Sequence, residues 1–370
     1  MTKKLHVGIL REKNLNPWEM QNYTPIRDSV DFVLFSPRDH CYDISTLSMP
    51  IQWLDARSEM LRRLFHPGQS LRRWVESRLG KRFYFINELD MKVQDLDILH
   101  TVDLKARMSY TGAYLKRKYG FALIVTVWEN IPFLFETKPR WKSMWEVSSN
   151  AADKIIAVTE CARQSLLLEG VPEEKITVIP YGVDIERVSP GEKDPSWLQR
   201  FGLEDHPKVV LFVGRFAYEK GISVLLSSVK HILQDMEMGQ FHLVFILAGS
   251  GEENGMVRRT IADWGLERAV KVIPPIPYED IHNLYRLADV FVLPSLPTRG
   301  WQEQYGMVLI EAMACGRAVI GTMSGAIPEV LGDAGILVPP ADWLALAEEL
   351  KRLIVDERAR NILGERARRR

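Results

Sequence analysis

The sequence predicts two α/β domains, each a parallel sheet with helices on both faces. Three observations carry this reading. Short β-rich runs alternate with helical periodicity along the whole chain. The length of 370 residues suits two domains at roughly 100–200 residues each. Between the two alternating halves lies 184–206, which holds Pro190, Gly191, Pro195 and many charges but no strand pattern. The expected organisation is a first domain over 1–187, a linker over 188–206 and a second domain over 207–370.

The elements follow in order. Strands are expected at Leu5–Leu10, Phe32–Phe35, Ile98–His100, Phe121–Val127, Lys154–Val158 and Ile176–Ile179. Leu104, Met108, Ala113 and Leu115 mark one helical face before Phe121. The second half repeats the scheme, with strands at Val209–Val213, His242–Ala248, Val270–Ile273, Val290–Leu293, Ala318–Ile320 and Ile336–Val338. Helices are expected near 219–234, 252–264, 277–287, 306–315 and 341–353. In open parallel sheets ligands sit beyond the C-terminal strand ends, so a cleft between two such domains is the expected site.

Composition removes several classes of function. Lys plus Arg and Asp plus Glu each number 48, so the net charge is +0. A general polyanion binder should be strongly basic, and nucleic acid is not an expected partner. No apolar run approaches the ~18 residues that span a bilayer; the longest is close to Leu243–Ala248. The start, Met1–His6, lacks the apolar core of a signal peptide and reads as a first strand. Cys41, Cys161 and Cys315 are far apart and odd in number, which argues against a disulfide framework and for a reducing cytosol. The eight histidines show no HxxxH or HxH spacing, and no metal site is expected.

The chemistry concentrates in the second half. An apolar strand ends at Gly214, and Arg215 and Lys220 follow before a helix. Gly214 lets a ligand approach the backbone. A guanidinium fork and an ammonium there suit a diphosphate. The plainer alternative is two solvated charges, yet cations gain nothing from a helix N-terminus. Further on, Glu303 and Glu311 are separated by seven residues, with Gly306, Met307 and Val308 between them. Gly306 should open a helix whose first N–H groups are free to bind phosphate. Glu311, flanked by Ile310, Ala312 and Met313, is pressed toward an apolar environment. A carboxylate there needs hydroxyl donors or a cation, and a ribose diol would satisfy it. Glu303 stands before the helix, where a sugar attached to the phosphate would lie. The alternative is an N-terminal acid and a buried structural Glu.

These segments resemble the GT-B retaining glycosyltransferases, specifically glycosyltransferase family 4. The resemblance rests on Gly214-Arg215 with Lys220-Gly221, Leu247-Ala-Gly249-Ser-Gly251, Ala288-Asp-Val-Phe-Val-Leu-Pro294-Ser295 and the E-x7-E pair Glu303 and Glu311. Glu329 in Ala326-Ile-Pro-Glu329, Ile179-Pro-Tyr-Gly182-Val-Asp184 and the upstream Ala152–Val158 also match. It implies two Rossmann-like doubly wound domains facing an interdomain cleft. The nucleotide-sugar would sit mainly on the second domain and the acceptor mainly on the first. By resemblance Arg215 and Lys220 bind the donor pyrophosphate, Glu311 the nucleotide ribose and Glu303 the donor sugar. The backbone of Gly306–Val308 would touch sugar and phosphate, and the backbone near Ile276 would line the base. No metal or other cofactor is implied, the basic pair standing in its place. The implied catalytic residues are Arg215, Lys220 and Glu303.

Three departures from the family pattern bear on substrate. The stretch Leu10–Trp18 has no glycine where many relatives carry a Gly-Gly loop. Trp128, Glu129 and Asn130 follow the strand after which many relatives place a histidine, and they are the acceptor-side candidates. Pro274-Pro275 stands where a base-loop glycine is usual. His100 ends a different strand and reads as structural. Relatives continue past a segment like Leu363–Arg368 with one more helix; the sequence here ends at Arg370. Residues 57–82 carry eight basic residues against Glu59 and Glu76, with apolar residues at helical spacing. That stretch reads either as two surface helices or as an interfacial helix on anionic lipid.

The expected activity is retaining transfer of a hexose from a UDP- or GDP-sugar to a hydroxyl of a glycan or lipid-linked acceptor. The expected protein is cytoplasmic, with peripheral contact to the inner face of the membrane if 57–82 binds lipid. The alternatives are a sugar-nucleotide epimerase of the same fold, or a nucleotide-sugar-binding protein without transfer activity.

Overall fold

The structure, a computed structural model, describes residues 4–12, 15–38, 42–47, 49–54, 86–203, 205, 207–235 and 240–370. The basic stretch 57–82 lies outside the described residues. The chain divides into two compact units. One is formed by the chain up to Val158 with Ala162–Pro180, the other by Thr159–Cys161 with Tyr181–Arg370.

The first unit holds strands β1 (Leu5–Leu10), β2 (Val30–Pro37), β3 (Ile51–Leu54), β4 (Ile98–Val102), β5 (Ala122–Val127), β6 (Lys154–Ala157) and β7 (Ile176–Val178). They form one sheet in the order β3-β2-β1-β4-β5-β6-β7, and every pairing is parallel. Its described α-helices are α1 (Pro17–Met20), α2 (Ile86–Lys92), α3 (Arg107–Tyr119), α4 (Pro139–Ala151) and α5 (Glu160–Leu168). The edge strand β3 is absent from the sequence expectation. Four residues are too short a run to show a period.

The second unit holds β8 (Lys208–Val213), β9 (Leu243–Ala248), β10 (Val270–Ile273), β11 (Val290–Leu293), β12 (Ala318–Thr322) and β13 (Ile336–Val338). Their order is β10-β9-β8-β11-β12-β13, again all parallel. Every residue of β9, β11 and β12 is buried, as expected of strands covered on both faces. The helices are α6 (Pro195–Arg200), α7 (Ile222–Gln234), α8 (Asn254–Asp263), α9 (Ile281–Leu287), α10 (Met307–Ala314), α11 (Ile327–Leu331), α12 (Trp343–Val355) and α13 (Glu357–Arg369). In both sheets chain order reverses beside the first strand, between β1 and β4 and between β8 and β11. Those are the points where a ligand crevice opens at the C-terminal strand ends.

Residues 188–203, most of the stretch expected as a linker, lie in the second unit and contribute to its core. Val188, Trp197, Leu198 and Leu203 are buried in it. Arg286 Nε donates to the Ser189 carbonyl at 2.9 Å, and Lys193 pairs with Asp289 at 2.9 Å. The Asp194-Pro195 sequence caps and opens α6. Its prolines and charges mark a helix start and its anchors.

Helix α13 is rich in arginine yet docked. Arg360 is buried and its Nη1 donates to the carbonyls of Leu353 (2.5 Å) and Ile354 (2.8 Å), closing the C-terminal end of α12. Arg368 Nη1 donates to the Ala314 carbonyl at 2.9 Å, the end of α10. Gly364 faces this contact: a Cβ there would lie 2.2 Å from the Gly316 carbonyl oxygen. Among the described residues no helix is long and apolar enough to cross a membrane.

Helix propensity alone would make Gly364→Ala stabilising by about 1 kcal/mol. The contact with Gly316 reverses the sign, and a net loss of about 1–3 kcal/mol is expected from overpacking. Urea unfolding reads it: a midpoint that rises in the variant would contradict the docking of α13.

Candidate active site

The site of the second unit is built where β8 and β11 end side by side, Val290 against Val210 and Phe291 against Leu211. The chain leaving β8 crosses the chain leaving β11 at Gly221. Its φ is +68°, and a Cβ there would lie 1.8 Å from the Pro294 carbonyl oxygen. Only glycine allows that approach. Leu296 N–H donates to the Glu219 carbonyl at 2.8 Å, locking the crossing.

The crossing sets Lys220 against Glu303. Lys220 Nζ lies 2.7 Å from Glu303 Oε2, and the Ser295 hydroxyl donates to the same oxygen at 2.8 Å. Both side chains are largely withdrawn from water, 16% and 7% exposed. The ammonium also lies 4.7 Å from the centre of the Trp301 ring. Glu303 is fixed through its backbone, where the Ala326 N–H donates to its carbonyl at 2.8 Å. Three residues on, Gly306 caps α10 with no side chain. The N–H groups of Met307 and Val308 therefore begin a helix without intrahelical partners.

Arg215 stands apart from this cluster. It is 54% exposed and pairs with Glu219 at 2.6 Å, with Glu252 at 4.0 Å. Phe216 and Ala217 between the two cations are buried, and Arg215 and Lys220 pair with different carboxylates. Ile276 packs half-buried against the core in the loop before α9.

Glu311 is 3% exposed. The Tyr285 hydroxyl donates to its Oε2 at 2.6 Å, and Tyr278 is near enough to favour the charged carboxylate. Burial pushes the carboxyl up to about 7, against the opposing pull of Tyr285, Tyr278 and Arg187. Arg187 holds Tyr278 in place, with its guanidinium 4.6 Å from the ring centre and Nη1 donating to the Tyr278 carbonyl at 2.7 Å.

In the first unit the acceptor-side candidates follow β5. Glu129 forms an ion pair with Lys105 at 2.6 Å and accepts from the Ile131 N–H at 3.2 Å. Asn130 is buried, and Trp128 is half-buried. His100 is buried between the Tyr23 hydroxyl (2.9 Å from Nδ1) and Thr126 Oγ1 (2.8 Å from Nε2). Burial, with Arg11 nearby, drops its pKa to about 3, so the ring is neutral at physiological pH. That agrees with a structural role. Among the described residues no three His, Cys, Asp or Glu side chains converge as a metal site.

Two family models match the chain. "Glycosyl transferases group 1" covers residues 194–370, and "Glycosyltransferase Family 4" covers 38–187. The chain belongs to the group 1, family 4 glycosyltransferases. Among curated relatives of this family member, the D-inositol 3-phosphate glycosyltransferase of Corynebacterium jeikeium is 33% identical over 228 residues, 58% of this chain and 52% of that protein. The protein of the same name from Streptomyces bingchenggensis is 33% identical over 217 residues, 56% and 46% of the two chains. The chain thus spans about half the length of the curated relatives it matches. Among solved structures, Anabaena Alr3699/HepE in complex with UDP and glucose superposes with a TM-score of 0.77 at 18% identity, covering 98% of this chain and 94% of that one. Sucrose-phosphate synthase of Thermosynechococcus elongatus gives 0.74 at 20% identity, covering 99% and 94%. These likenesses establish the GT-B fold.

In this family member the structure brings Lys220, Glu303 and the start of α10 together, and leaves Arg215 at the rim. Sequence reasoning missed Tyr278, Tyr285, Ser295 and Trp301 as site residues. Ser295 carried a signal, since a hydroxyl two residues beyond a buried parallel strand lies at its C-terminal end. Tyr285 carried none, being 26 residues from Glu311.

The raised carboxyl of Glu311 has a stability consequence. An acid whose folded value, about 7, exceeds its ordinary 4.5 binds more protons when folded. It therefore disfavours the fold progressively as pH rises through that window. Glu311→Gln should gain melting temperature relative to the wild type between pH 5 and pH 8. A difference that is flat in pH, or that shrinks, would refute the burial-driven shift.

Proposed function

We propose that the chain is a retaining glycosyltransferase that moves a hexose from a UDP- or GDP-sugar to a hydroxyl of a glycan or glycolipid acceptor. The observation that carries this is the Lys220–Glu303 pair at the mouth of α10, with buried Glu311 one E-x7-E interval on. In the Lys220–Glu303 pair the ammonium and the carboxylate neutralise each other. A bound donor would exchange that pair for two better-matched contacts, Lys220 with the diphosphate and Glu303 with a sugar hydroxyl. The N–H groups of Met307 and Val308 would face the phosphate, Glu311 the ribose and the backbone near Ile276 the base. The structural likeness includes Anabaena Alr3699/HepE complexes with UDP and with UDP-glucose, which favours a UDP-sugar.

The chemistry follows from charge. The bond from sugar C1 to phosphate breaks with oxocarbenium character. Lys220, and Arg215 once it leaves Glu219, stabilise the negative charge growing on the diphosphate. The acceptor hydroxyl attacks from the face the diphosphate leaves, and a phosphate oxygen takes its proton, so configuration is retained without an enzymatic nucleophile. This scheme places the counter-charge on side chains and asks for no metal. The acceptor would bind the first unit near Trp128, Glu129 and Asn130. The names of the curated relatives favour a second acceptor class, a phosphorylated polyol. We place the enzyme in the cytoplasm, with 57–82 as the contact for an anionic membrane; flotation with anionic liposomes, compared with neutral ones, tests that contact.

The deciding experiment is a thermal-shift panel of UDP-, GDP- and ADP-sugars in EDTA. A ligand at 100 times its Kd adds about 2.7 kcal/mol. One nucleotide class should raise the melting temperature of the wild type and fail to raise that of Glu311→Ala. In transfer assays Lys220→Ala should lower kcat by about 10²–10³-fold, and NMR of the product should show the anomeric configuration of the donor. No shift with any nucleotide-sugar, or an inverted product, would overturn the proposal.

A further inference from the structure

Between Ser295 and Glu303 the chain makes a closed turn at the surface. Pro297, Thr298, Arg299 and Gly300 are exposed. The Thr298 N–H donates to the Trp301 carbonyl at 2.7 Å, and the Thr298 hydroxyl donates to the same oxygen at 3.3 Å. The Gly300 N–H donates to Thr298 Oγ1 at 3.4 Å. The turn is thus tied at its base, and Trp301 is the residue at which the chain returns toward Glu303, half-buried. Its ring centre lies 4.7 Å from Lys220 Nζ. The bond from Leu296 N–H to the Glu219 carbonyl, at 2.8 Å, holds this segment in register with the connection that carries Lys220. Two partners of different kind therefore meet one ammonium. Glu303 meets it with opposite charge at 2.7 Å, and Trp301 meets it with an aromatic face.

We propose that Trp301 is a positioning residue: its ring holds the Lys220 ammonium at the mouth of α10 and keeps the whole charge within reach of a diphosphate while Glu303 serves a sugar hydroxyl. This rests on the reading that Lys220 meets the donor diphosphate. The physical logic lies in what each partner does to the charge. A carboxylate at contact distance neutralises an ammonium, so a cation held by Glu303 alone would be spent on Glu303. A ring face attracts the cation through its quadrupole and leaves the formal charge intact. It also restricts a flexible four-carbon stem that would otherwise lose rotamer freedom when the anion arrives. A cation placed beforehand is worth more to a growing negative charge than one that must be gathered in. The tied turn supplies the rigidity, because Trp301 can hold Lys220 only as firmly as its own backbone is held.

Calorimetric titration of the full chain with UDP and with UMP tests this, with GDP and GMP run in parallel. The ratio of the two affinities isolates the terminal phosphate, which a general loosening of the fold moves little. Lys220→Ala should lower the preference for the diphosphate by about tenfold or more, the loss of one charge-assisted contact. Trp301→Leu should lower it about three- to tenfold, the range of one cation–π contact. Trp301→Met should do the same and guards against a peculiarity of one variant. Trp301→Phe keeps an aromatic face and should recover most of the loss. In the Lys220→Ala background Trp301→Leu should cost less than about twofold more, because the ring then has no ammonium to hold. If Lys220→Ala leaves the preference intact, or no diphosphate binds, the donor reading fails and takes the positioning role with it. If Lys220→Ala lowers the preference but the Leu and Met variants do not, or lower it equally with and without Lys220, the donor reading survives and the positioning role is overturned. A loss in Trp301→Phe as deep as that in Trp301→Leu overturns it too.

Discussion

A carboxylate taken out of water must find donors, and the second unit is arranged around two that have been. Glu303 takes the Lys220 ammonium and the Ser295 hydroxyl on one oxygen. Glu311, farther along the same segment, takes the Tyr285 hydroxyl. Lys220 reaches Glu303 from the connection after β8, and Tyr285 reaches Glu311 from α9, so each carboxylate is satisfied by an element distant in the chain. The site is therefore a product of the tertiary fold, with little of it standing on any single element. An ion pair buried in this way is weak evidence for stability, because desolvation offsets most of its attraction. On the proposed donor reading, its value is that both halves can be exchanged for a ligand's charges and hydroxyls.

The backbone makes that arrangement possible. Chain order reverses beside β8, which opens a crevice between the connections that follow β8 and β11. Those connections then approach to a distance that no side chain at 221 would permit. The close crossing brings a residue from one loop against a residue from the other, and the hydrogen bond between Leu296 and Glu219 keeps the register.

Much of this was legible in the sequence because it is periodic or local. The parallel sheets followed from alternation, and every expected strand is present, though boundaries moved by a few residues, as from Phe32–Phe35 to Val30–Pro37. The need of Glu311 for hydroxyls followed from its apolar flanks, Ile310, Ala312 and Met313. Which hydroxyl would serve did not, because Tyr285 reaches it only through the packing of α9 on α10. Arg215 and Lys220 read as one basic pair in the sequence. In the fold they pair with different carboxylates, Arg215 with Glu219 and Lys220 with Glu303, and differ in exposure. The charged, proline-bearing stretch at 188–206 looked like free chain for the same reason that caps and turns always do. Asp194 and Pro195 are there to start a helix, and the arginine and lysine partners are there to hold it down.

Helix α13 carries a consequence for anyone redesigning the protein's surface. Its sequence is dominated by arginine and glutamate, the composition of a solvated helix that tolerates exchange of one cation for another. Arg360, however, spans two carbonyls with one nitrogen while almost wholly buried, and Arg368 reaches Ala314 and Val188. These contacts are made to peptide groups, so dissolved salt has little Coulomb attraction to screen. A lysine would restore the charge and lose the planar fork. Positions that a composition-based design would treat as interchangeable are joinery, and the interchangeable ones are their exposed neighbours, Arg358 and Glu365.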